Sequence, residues 1–284
     1  MMEFNTPEKP QWCPGCGDYG IHTALKQALH EVGAHPKDTV IVSGIGCGSK
    51  IPNYVRSYGL EGLHGRVIPT SVGIKIANPE LTVIGIGGDG DGFSEGGNHF
   101  IHGARENFDI VYIVQDNHIY GLTTGQASPT TPKGMKTKTT PDGNMINEFR
   151  PVPMALVAGA TFVATAFAGD IMHLKEVIKE AIAHKGFAFI DVYQPCVTWN
   201  KLNTYDWYRE RVYKTTHDPS DWNQAWEKAW EPYVTDFEKI PLGVIYKKER
   251  EIADDFFSPG RKNLVKEPLD PNGIDVSFLA KEFL

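Results

Sequence analysis

The segment that decides the fold of this 284-residue chain is LTVIGIGGDGDGFSEGGNHFIHGARENFDIVYIVQDNHIYGLTTGQ, residues 81–126. It begins with LTVIGIG, a short apolar run, rich in β-branched side chains, that stops at glycines. Residues 109–117, DIVYIVQDN, form a second run of the same kind. Such runs are typical of strands buried in a parallel sheet.

Residues 94–107, between the two runs, have the spacing of a helix. Ser94 can cap its N-terminus, and Phe100, Ile101 and Ala104 are expected on one side. Strand, helix and strand then make a βαβ unit whose strands lie parallel and side by side. We therefore predict an α/β fold with an open, mainly parallel sheet and helices on both faces.

Polar residues follow both strands at the point where each one ends. Asp89 follows the first strand and Asn117 the second, so both are expected at the carboxyl edge, where open α/β sheets bind ligands. Their oxygens and a backbone carbonyl near Ile119 suit a hard divalent cation, and diphosphate oxygens can complete its octahedron. The pattern predicts a metal–diphosphate site.

The glycines of this segment allow two other interpretations. Residues 85–90 fit G-x-G-x-x-G, the pattern of a dinucleotide site, and they also suit an ordinary glycine-rich turn. The carboxylates of Asp89 and Asp91 would repel a pyrophosphate unless a cation lay between them. That repulsion favours a metal–diphosphate site over a dinucleotide site.

The four cysteines predict a metal or cluster site. Cys13 and Cys16 form the C-x-x-C of WCPGCGD, whereas Cys47 lies in SGIGCGS and Cys196 in QPCVTWN. Structural zinc sites usually take two local pairs, and a 4Fe–4S cluster accommodates four scattered thiolates. Disulfides are a third interpretation, which a cytoplasmic location disfavours. Spacing alone does not separate zinc from iron–sulfur.

The bulk composition is that of a soluble globular protein, with 41% hydrophobic and 22% charged residues. The formal net charge of −7 gives no broad reason to bind nucleic acid or an anionic membrane. The chain contains no apolar run long enough to cross a bilayer, and MMEFNTPEKPQ does not resemble a signal peptide. We expect a cytoplasmic protein.

The rest of the chain predicts more of the same sheet and then an extension. Further strands are expected at 39–43, 161–166 and 187–193, and helices at 21–32, 63–80 and 171–184. The loop after residues 39–43 would bring Cys47 to the ligand edge. Residues 123–147 form a long connection, which predicts a lid. Three lysines on it could attract an anion or simply face solvent: Lys133, Lys136 and Lys138.

The composition changes after Cys196. Trp222, Trp226 and Trp230 recur at helical spacing, which predicts a stripe that packs on the domain or on a partner subunit. Residues 240–284 mix proline, glycine and charges, and we expect them to wrap over other surfaces. We divide the chain into a cofactor-binding α/β domain, 1–200, and an aromatic-rich extension, 201–284.

Several of these motifs resemble those of one family. GDG at residues 88–90, then a spacer of residues 91–116, then Asn117, resembles the thiamine diphosphate motif of thiamine-dependent enzymes. NHIYGLTTGQ, WCPGCGD, GIGC and PCVTWN resemble the β subunits of 2-oxoacid:ferredoxin oxidoreductases, and the resemblance covers nearly the whole chain. Residues 203–221 and 240–246 resemble the 2-oxoglutarate branch. Gly48 stands where relatives often have serine.

The resemblance implies a role for each motif residue. Asp89, Asn117 and the carbonyl of Ile119 would hold Mg²⁺. His64 is the candidate catalytic residue, because its His-Gly-Arg stretch flanks the cofactor in the family, although an isolated histidine is more often structural. The thiamine diphosphate contacts would come from Gly46, Cys47, Gly48, His64, Gly88, Asp89, Gly90, Asp91, Asn117, Ile119, Leu122 and Thr123. One 4Fe–4S cluster would be held by Cys13, Cys16, Cys47 and Cys196.

The resemblance also implies a reaction and partners. The reaction is the reversible oxidative decarboxylation of a 2-oxoacid, 2-oxoglutarate to succinyl-CoA, with coenzyme A as cosubstrate and ferredoxin as electron carrier. A separate α subunit with the pyrimidine-binding module would complete the site in an (αβ)2 heterotetramer. The alternatives are a pyruvate or broad-specificity enzyme, a non-redox thiamine diphosphate subunit, and a zinc-stabilised, non-catalytic assembly subunit.

Overall fold

The computed structural model describes residues 2–257 and 264–266. Its strands are β1 (Thr39–Ser43), β2 (Tyr58–Glu61), β3 (Thr82–Gly88), β4 (Val111–Asp116), β5 (Ile119–Tyr120), β6 (Gln126–Ala127), β7 (Phe162–Phe167), β8 (Ala188–Tyr193), β9 (Val212–Lys214) and β10 (Ile240–Lys247). Its α-helices are α1 (Asp18–Glu31), α2 (Ile51–Tyr54), α3 (Val67–Ala77), α4 (Gly97–Glu106), α5 (Pro151–Ala158), α6 (Ile171–Ala183), α7 (Tyr205–Arg209), α8 (Trp222–Val234) and α9 (Ala253–Phe257). Within these residues no helix is both long and apolar enough to cross a bilayer.

The main sheet of the described chain has eight strands in the order β2-β1-β3-β4-β8-β7-β10-β9. Each neighbouring pair is parallel except β10 with β7, which is antiparallel. β5 and β6 form a separate antiparallel ribbon. The prediction of an open, mainly parallel sheet is confirmed.

Helices cover both faces of the sheet because successive strand residues point to opposite sides. On β4, Ile113 belongs to the core shared with α1 and α6. Its neighbours Tyr112 and Val114 belong to the core shared with α3, α4, α5 and α8. The sheet is therefore the middle of three layers, as the apolar runs predict.

The pairing of β3 with β4 sets the geometry of the ligand edge. Gly88 lies opposite Gln115, so the next residues, Asp89 and Asp116, end up side by side. Asn117 follows immediately after β4. The predicted βαβ unit is confirmed, with its two strands adjacent.

The helix inside this unit begins later than expected. Ser94 lies in a π-helix, Gly90–Glu95, and α4 starts at Gly97 without a side-chain capping bond. Ile101 is 37% exposed, whereas Phe100 and Ala104 are fully buried. The prediction that all three share a face is wrong, because Ile101 lies about 100° around the helix from Phe100.

The prediction for residues 240–284 is wrong over β10. This strand lies between β7 and β9 and is mostly buried, because it pairs with backbone groups of β7 that would otherwise form an open edge. In the preceding helix α8, the ring of Trp230 lies under the guanidinium of Arg150, with Cζ 4.8 Å from the ring centroid, so the tryptophan stripe contacts the α/β domain of this chain. Residues 258–263 and 267–284 lie outside the described residues.

A buried hydrogen-bond chain joins the ends of α4 and α6 to the start of β7. His184 Nε2 lies 2.8 Å from Thr161 Oγ1, which donates to Asn107 Oδ1 at 2.6 Å. The threonine oxygen therefore accepts from the neutral histidine. Burial lowers the pKa of His184 to about 4.

We expect this histidine to make the fold less stable in acid. Below the unfolded-state pKa of about 6.5, the unfolded chain binds a proton that the folded chain does not. The free energy of unfolding therefore decreases as the pH is lowered. Between pH 7.5 and pH 5 the loss from this group is about 2 kcal/mol, at 1.36 kcal/mol per pKa unit. Urea titrations at the two pH values measure it. His184→Gln keeps an N–H donor for Thr161, and its free energy of unfolding should decrease by about 2 kcal/mol less than that of the wild type between the two pH values. An equal decrease in both proteins would contradict the assignment.

Candidate functional site

A cleft with about 480 Å³ of open space lies at the carboxyl edge of β1, β3 and β4. Every residue that the sequence analysis assigned to thiamine diphosphate contacts this cleft as part of its lining. Asp18, Gln115, Tyr120 and Gly121 line it as well, and the motifs did not identify them. Asp18 is the last residue of WCPGCGD, and Tyr120 and Gly121 lie inside NHIYGLTTGQ, so a place within a motif was a usable signal for these three.

Two buried carboxyl groups meet at the ends of β3 and β4. Asp89 Oδ2 and Asp116 Oδ1 each lie 2.7 Å from the hydroxyl of Thr130. One hydroxyl proton can serve only one of them. Burial, with repulsion from Asp116, raises the pKa of Asp89 to about 7, and burial raises the pKa of Asp116 to about 7. A divalent cation fits this donor set because it would balance the excess negative charge.

Thr130 comes from the long connection that the sequence predicts to be a lid. Thr130 and Thr131 are buried, and Thr131 Oγ1 donates to the carbonyl of His118 at 2.7 Å. This part of the connection is a packed support for the ligand edge and not an open flap. The lining of the cleft includes none of the three lysines.

Asn117 faces the cleft from the end of β4. Its Oδ1 accepts the backbone N–H of Ile119 at 3.1 Å, and its Nδ2 donates to Gln194 Oε1 at 2.8 Å. The oxygen keeps a second lone pair for a cation. His118, between Asn117 and Ile119 in the sequence, has a φ of 60°. This left-handed conformation is uncommon for histidine and recurs at functional turns.

Asp91 holds the loops around the cleft together. Its buried Oδ1 accepts the backbone N–H of Ile45 at 3.0 Å and that of Gly65 at 2.8 Å. His64 Nδ1 lies 3.0 Å from the same oxygen and 3.2 Å from Glu95 Oε2, within ion-pairing distance of both acids. The His64 side chain is 36% exposed and lines the cleft. Asp91 lines the cleft too, but its carboxylate is engaged by the protein backbone.

A second cavity, with about 680 Å³ of open space, adjoins the cleft and is lined by all four cysteines. Cys47, Asn117, Gly121 and Leu122 line both spaces. A Cβ atom at Gly121 would lie 3.4 Å from Cys196 Sγ and 4.0 Å from Cys47 Sγ. Glycine therefore keeps the wall between the two spaces thin and leaves the thiols accessible to the cavity.

Four thiols are the donor set that a 4Fe–4S cluster takes. All four are free, and in residues 2–257 and 264–266 no three His, Cys, Asp or Glu side chains converge on one metal position. Zinc needs its sulfurs about 2.3 Å from one atom, whereas the thiolates of a 4Fe–4S cluster bind different irons. Burial raises the pKa of Cys47 to about 11 and also raises the pKa of Cys16 and of Cys196, so iron would have to displace their protons.

The sequence matches two family models. Residues 19–192 match the thiamine pyrophosphate enzyme, C-terminal TPP binding domain, and residues 196–259 match the C-terminal region of the pyruvate ferredoxin oxidoreductase beta subunit. The 2-oxoacid:ferredoxin oxidoreductase subunit beta of Sulfolobus sp is 45% identical over 87% of this chain and 85% of its own. The 2-oxoglutarate oxidoreductase subunit KorB of Mycobacterium tuberculosis is 41% identical over 76% of this chain and 59% of its own.

The fold is also similar to that of a solved structure. The 2-oxoglutarate:ferredoxin oxidoreductase from Magnetococcus marinus, with 2-oxoglutarate, coenzyme A and succinyl-CoA bound, superposes with a TM-score of 0.91 at 39% identity. The match covers 99% of this chain and 94% of that one. The resemblance found in the sequence motifs is confirmed, and this chain belongs to the family of 2-oxoacid:ferredoxin oxidoreductase β subunits.

Proposed function

We propose that this subunit binds thiamine diphosphate, Mg²⁺ and one 4Fe–4S cluster, and that its enzyme acts on 2-oxoglutarate. The observation that carries the proposal is the thin wall that the cleft shares with the cysteine cavity. Gly121 and Cys47 belong to both spaces. A diphosphate cofactor in one space and an electron acceptor in the other would be direct neighbours, as an oxidative decarboxylation requires.

In the proposed reaction, 2-oxoglutarate and coenzyme A give succinyl-CoA, CO2 and one proton. The bond between C1 and C2 breaks, a thioester bond forms, and two ferredoxins each take up one electron. Thiamine diphosphate supplies an electron sink for the decarboxylation when it is bound. The names of the Mycobacterium and Magnetococcus relatives support 2-oxoglutarate. One matching family model is named for pyruvate, which makes a pyruvate or broad-specificity enzyme the second candidate.

Different residues of this chain would bind Mg²⁺, the diphosphate and the cluster. Asp89, Asn117 and the Ile119 carbonyl would hold Mg²⁺, which neutralises the buried carboxyl group and the diphosphate together. Backbone around Gly90 would approach the diphosphate closely; a Cβ atom there would lie 2.3 Å from the ring of Tyr120. The cluster ligands would be Cys13, Cys16, Cys47 and Cys196.

His64 would contact the substrate or the cofactor from the rim of the cleft. Asp91 Oδ1 and Glu95 Oε2 lie 3.0 and 3.2 Å from its Nδ1, so the ring would keep this nitrogen towards the two acids. The other ring nitrogen, Nε2, would then be available to hold or move a proton in the cleft.

The proposal includes partners and a location. The relatives are named as β subunits, which supports an α subunit that supplies the pyrimidine-binding module in an (αβ)2 heterotetramer. Ferredoxin would be the electron carrier, and the cytoplasm suits free thiols. Within the chain, residues 1–200 would carry both cofactors, and residues 201–284 would pack on them or on the partner.

Anaerobic purification with the α subunit should give a brown protein whose broad visible absorbance bleaches on dithionite, because four thiolates would hold iron and sulfide. The complex should reduce ferredoxin with 2-oxoglutarate and coenzyme A, and faster than with pyruvate. Iron, sulfide and zinc analysis and the two substrate assays measure this. A colourless zinc protein would favour the assembly-subunit alternative, activity without ferredoxin reduction would favour a non-redox enzyme, and faster turnover of pyruvate would overturn the substrate assignment.

Asp89→Ala should weaken Mg²⁺-dependent binding of thiamine diphosphate by at least about tenfold, since it removes a charged ligand of the metal. Calorimetry of the αβ complex measures the affinity, and retention of the brown colour reports folding. Asp142→Ala, a change at an exposed aspartate of the same chain, is the matched control. Unchanged affinity in Asp89→Ala would refute the metal assignment.

His64→Gln should lower kcat/KM by about 100-fold, the usual size of a lost acid–base contribution, while cluster content stays as in the wild type. Steady-state assays of the αβ complex measure the loss. His102→Gln alters an exposed histidine of α4 and should behave as wild type. If His64→Gln keeps full activity, His64 is a structural residue.

A further inference from the structure

The side chain of Gln194 lies between the two proposed cofactor sites. It follows β8 directly and is 2% exposed. Its Oε1 accepts from Asn117 Nδ2 at 2.8 Å, and its Nε2 donates to Cys16 Sγ at 3.2 Å. One amide group therefore joins a proposed magnesium ligand to a proposed cluster ligand.

The direction of this hydrogen-bond chain is fixed from one end. The backbone N–H of Ile119 can only donate, so the atom of Asn117 that it contacts must be Oδ1. Asn117 Nδ2 then faces Gln194, and only the oxygen of Gln194 can accept from it. The remaining group of the glutamine, its NH2, must point at the sulfur of Cys16.

The position of Gln194 is fixed as well. Its backbone N–H donates to the carbonyl of Asp116 at 2.8 Å, which aligns it with the end of β4. On the other side, a Cβ atom at Gly17 would lie 2.7 Å from Gln194 Cγ, and Gly17 N donates to Pro195 O at 3.2 Å. The segment with Cys16 is thus held directly against Gln194–Pro195.

We propose that Gln194 is a positioning residue that couples cofactor binding to the reduction potential of the cluster. This inference rests on the proposed function. A cation on Asn117 Oδ1 would polarise that amide and strengthen its bond to Gln194, and hydrogen bonds in such chains reinforce one another. The N–H bond to the Cys16 sulfur would strengthen in turn, and hydrogen bonds to ligand sulfurs help to set cluster potentials.

The coupling has a defined sign. A donor to the sulfur stabilises the reduced, more negative cluster, so magnesium and thiamine diphosphate should raise its potential. By reciprocity, reduction of the cluster should strengthen cofactor binding by the same factor. The cluster would then become easier to reduce once magnesium and thiamine diphosphate occupy the cleft.

Two variants of Gln194 separate the two ends of the bridge. Gln194→Glu keeps an oxygen for Asn117 and replaces the N–H at the sulfur with a carboxylate oxygen. Gln194→Met keeps the length and removes both polar ends. Gln224→Met removes a glutamine amide whose Nε2 donates to Asp221, the N-cap residue of α8, and is the matched control.

The measurement is an EPR-monitored redox titration of the αβ complex, with and without magnesium and thiamine diphosphate. The wild type and Gln224→Met should gain potential when the cofactor is added. The cluster of Gln194→Glu should have a lower reduction potential than that of the wild type. The expected difference is about tenfold in the reduction equilibrium, which is 59 mV for one electron. In Gln194→Met the response to the cofactor should be lost, while iron content stays constant.

The outcomes distinguish this inference from the function beneath it. A wild-type complex without an iron–sulfur signal would refute the proposed function. A wild-type cluster whose potential ignores the cofactor would refute the coupling alone, whatever the variants do. Equal potentials in wild type and Gln194→Glu would refute the role of the N–H bond.

Discussion

The parallel pairing of β3 with β4 is the constraint on which the site depends. Gly88 opposite Gln115 brings Asp89 and Asp116 side by side. Both side chains are buried, and an oxygen of each lies 2.7 Å from the same Thr130 hydroxyl. Two carboxyl groups at that distance cannot both stay charged without a counterion. The fold thereby builds a position that suits a cation, and Asn117, one residue further along, offers a neutral oxygen beside it.

The same edge is held by side chains that hydrogen-bond to other parts of the protein. Thr130 bridges the two acids, and Asp91 gathers the loops that carry Ile45 and Gly65. These buried bonds replace water around the cleft and leave its backbone in a set position. Such preorganisation matters because a charged cofactor would otherwise have to reorder the loops as it binds.

The sequence predicted the parts of this structure that have a local pattern. Apolar runs ending in glycine or polar residues located β3 and β4, and the cysteine motifs located the four thiols that line the second cavity. Thr130 and Gln194 reach the site only through tertiary packing, so no spacing of residues along the sequence predicts that they lie there. The sequence did not predict strand β10, because Pro241 and Gly243 interrupt its apolar pattern. It did not predict the π-helix before α4 either, because the glycines there carry no capping signal.

Strand β10 also has a consequence for the order in which the chain assembles. All six residues of β7 are buried, yet its outer edge is covered only by β10, which lies far downstream in the sequence. A chain emerging from the ribosome therefore carries β7 with bare N–H and C=O groups until Lys247 has been made. The four thiols are all present once Cys196 has been added, so the cysteine cavity can form while this side of the sheet is still unfinished.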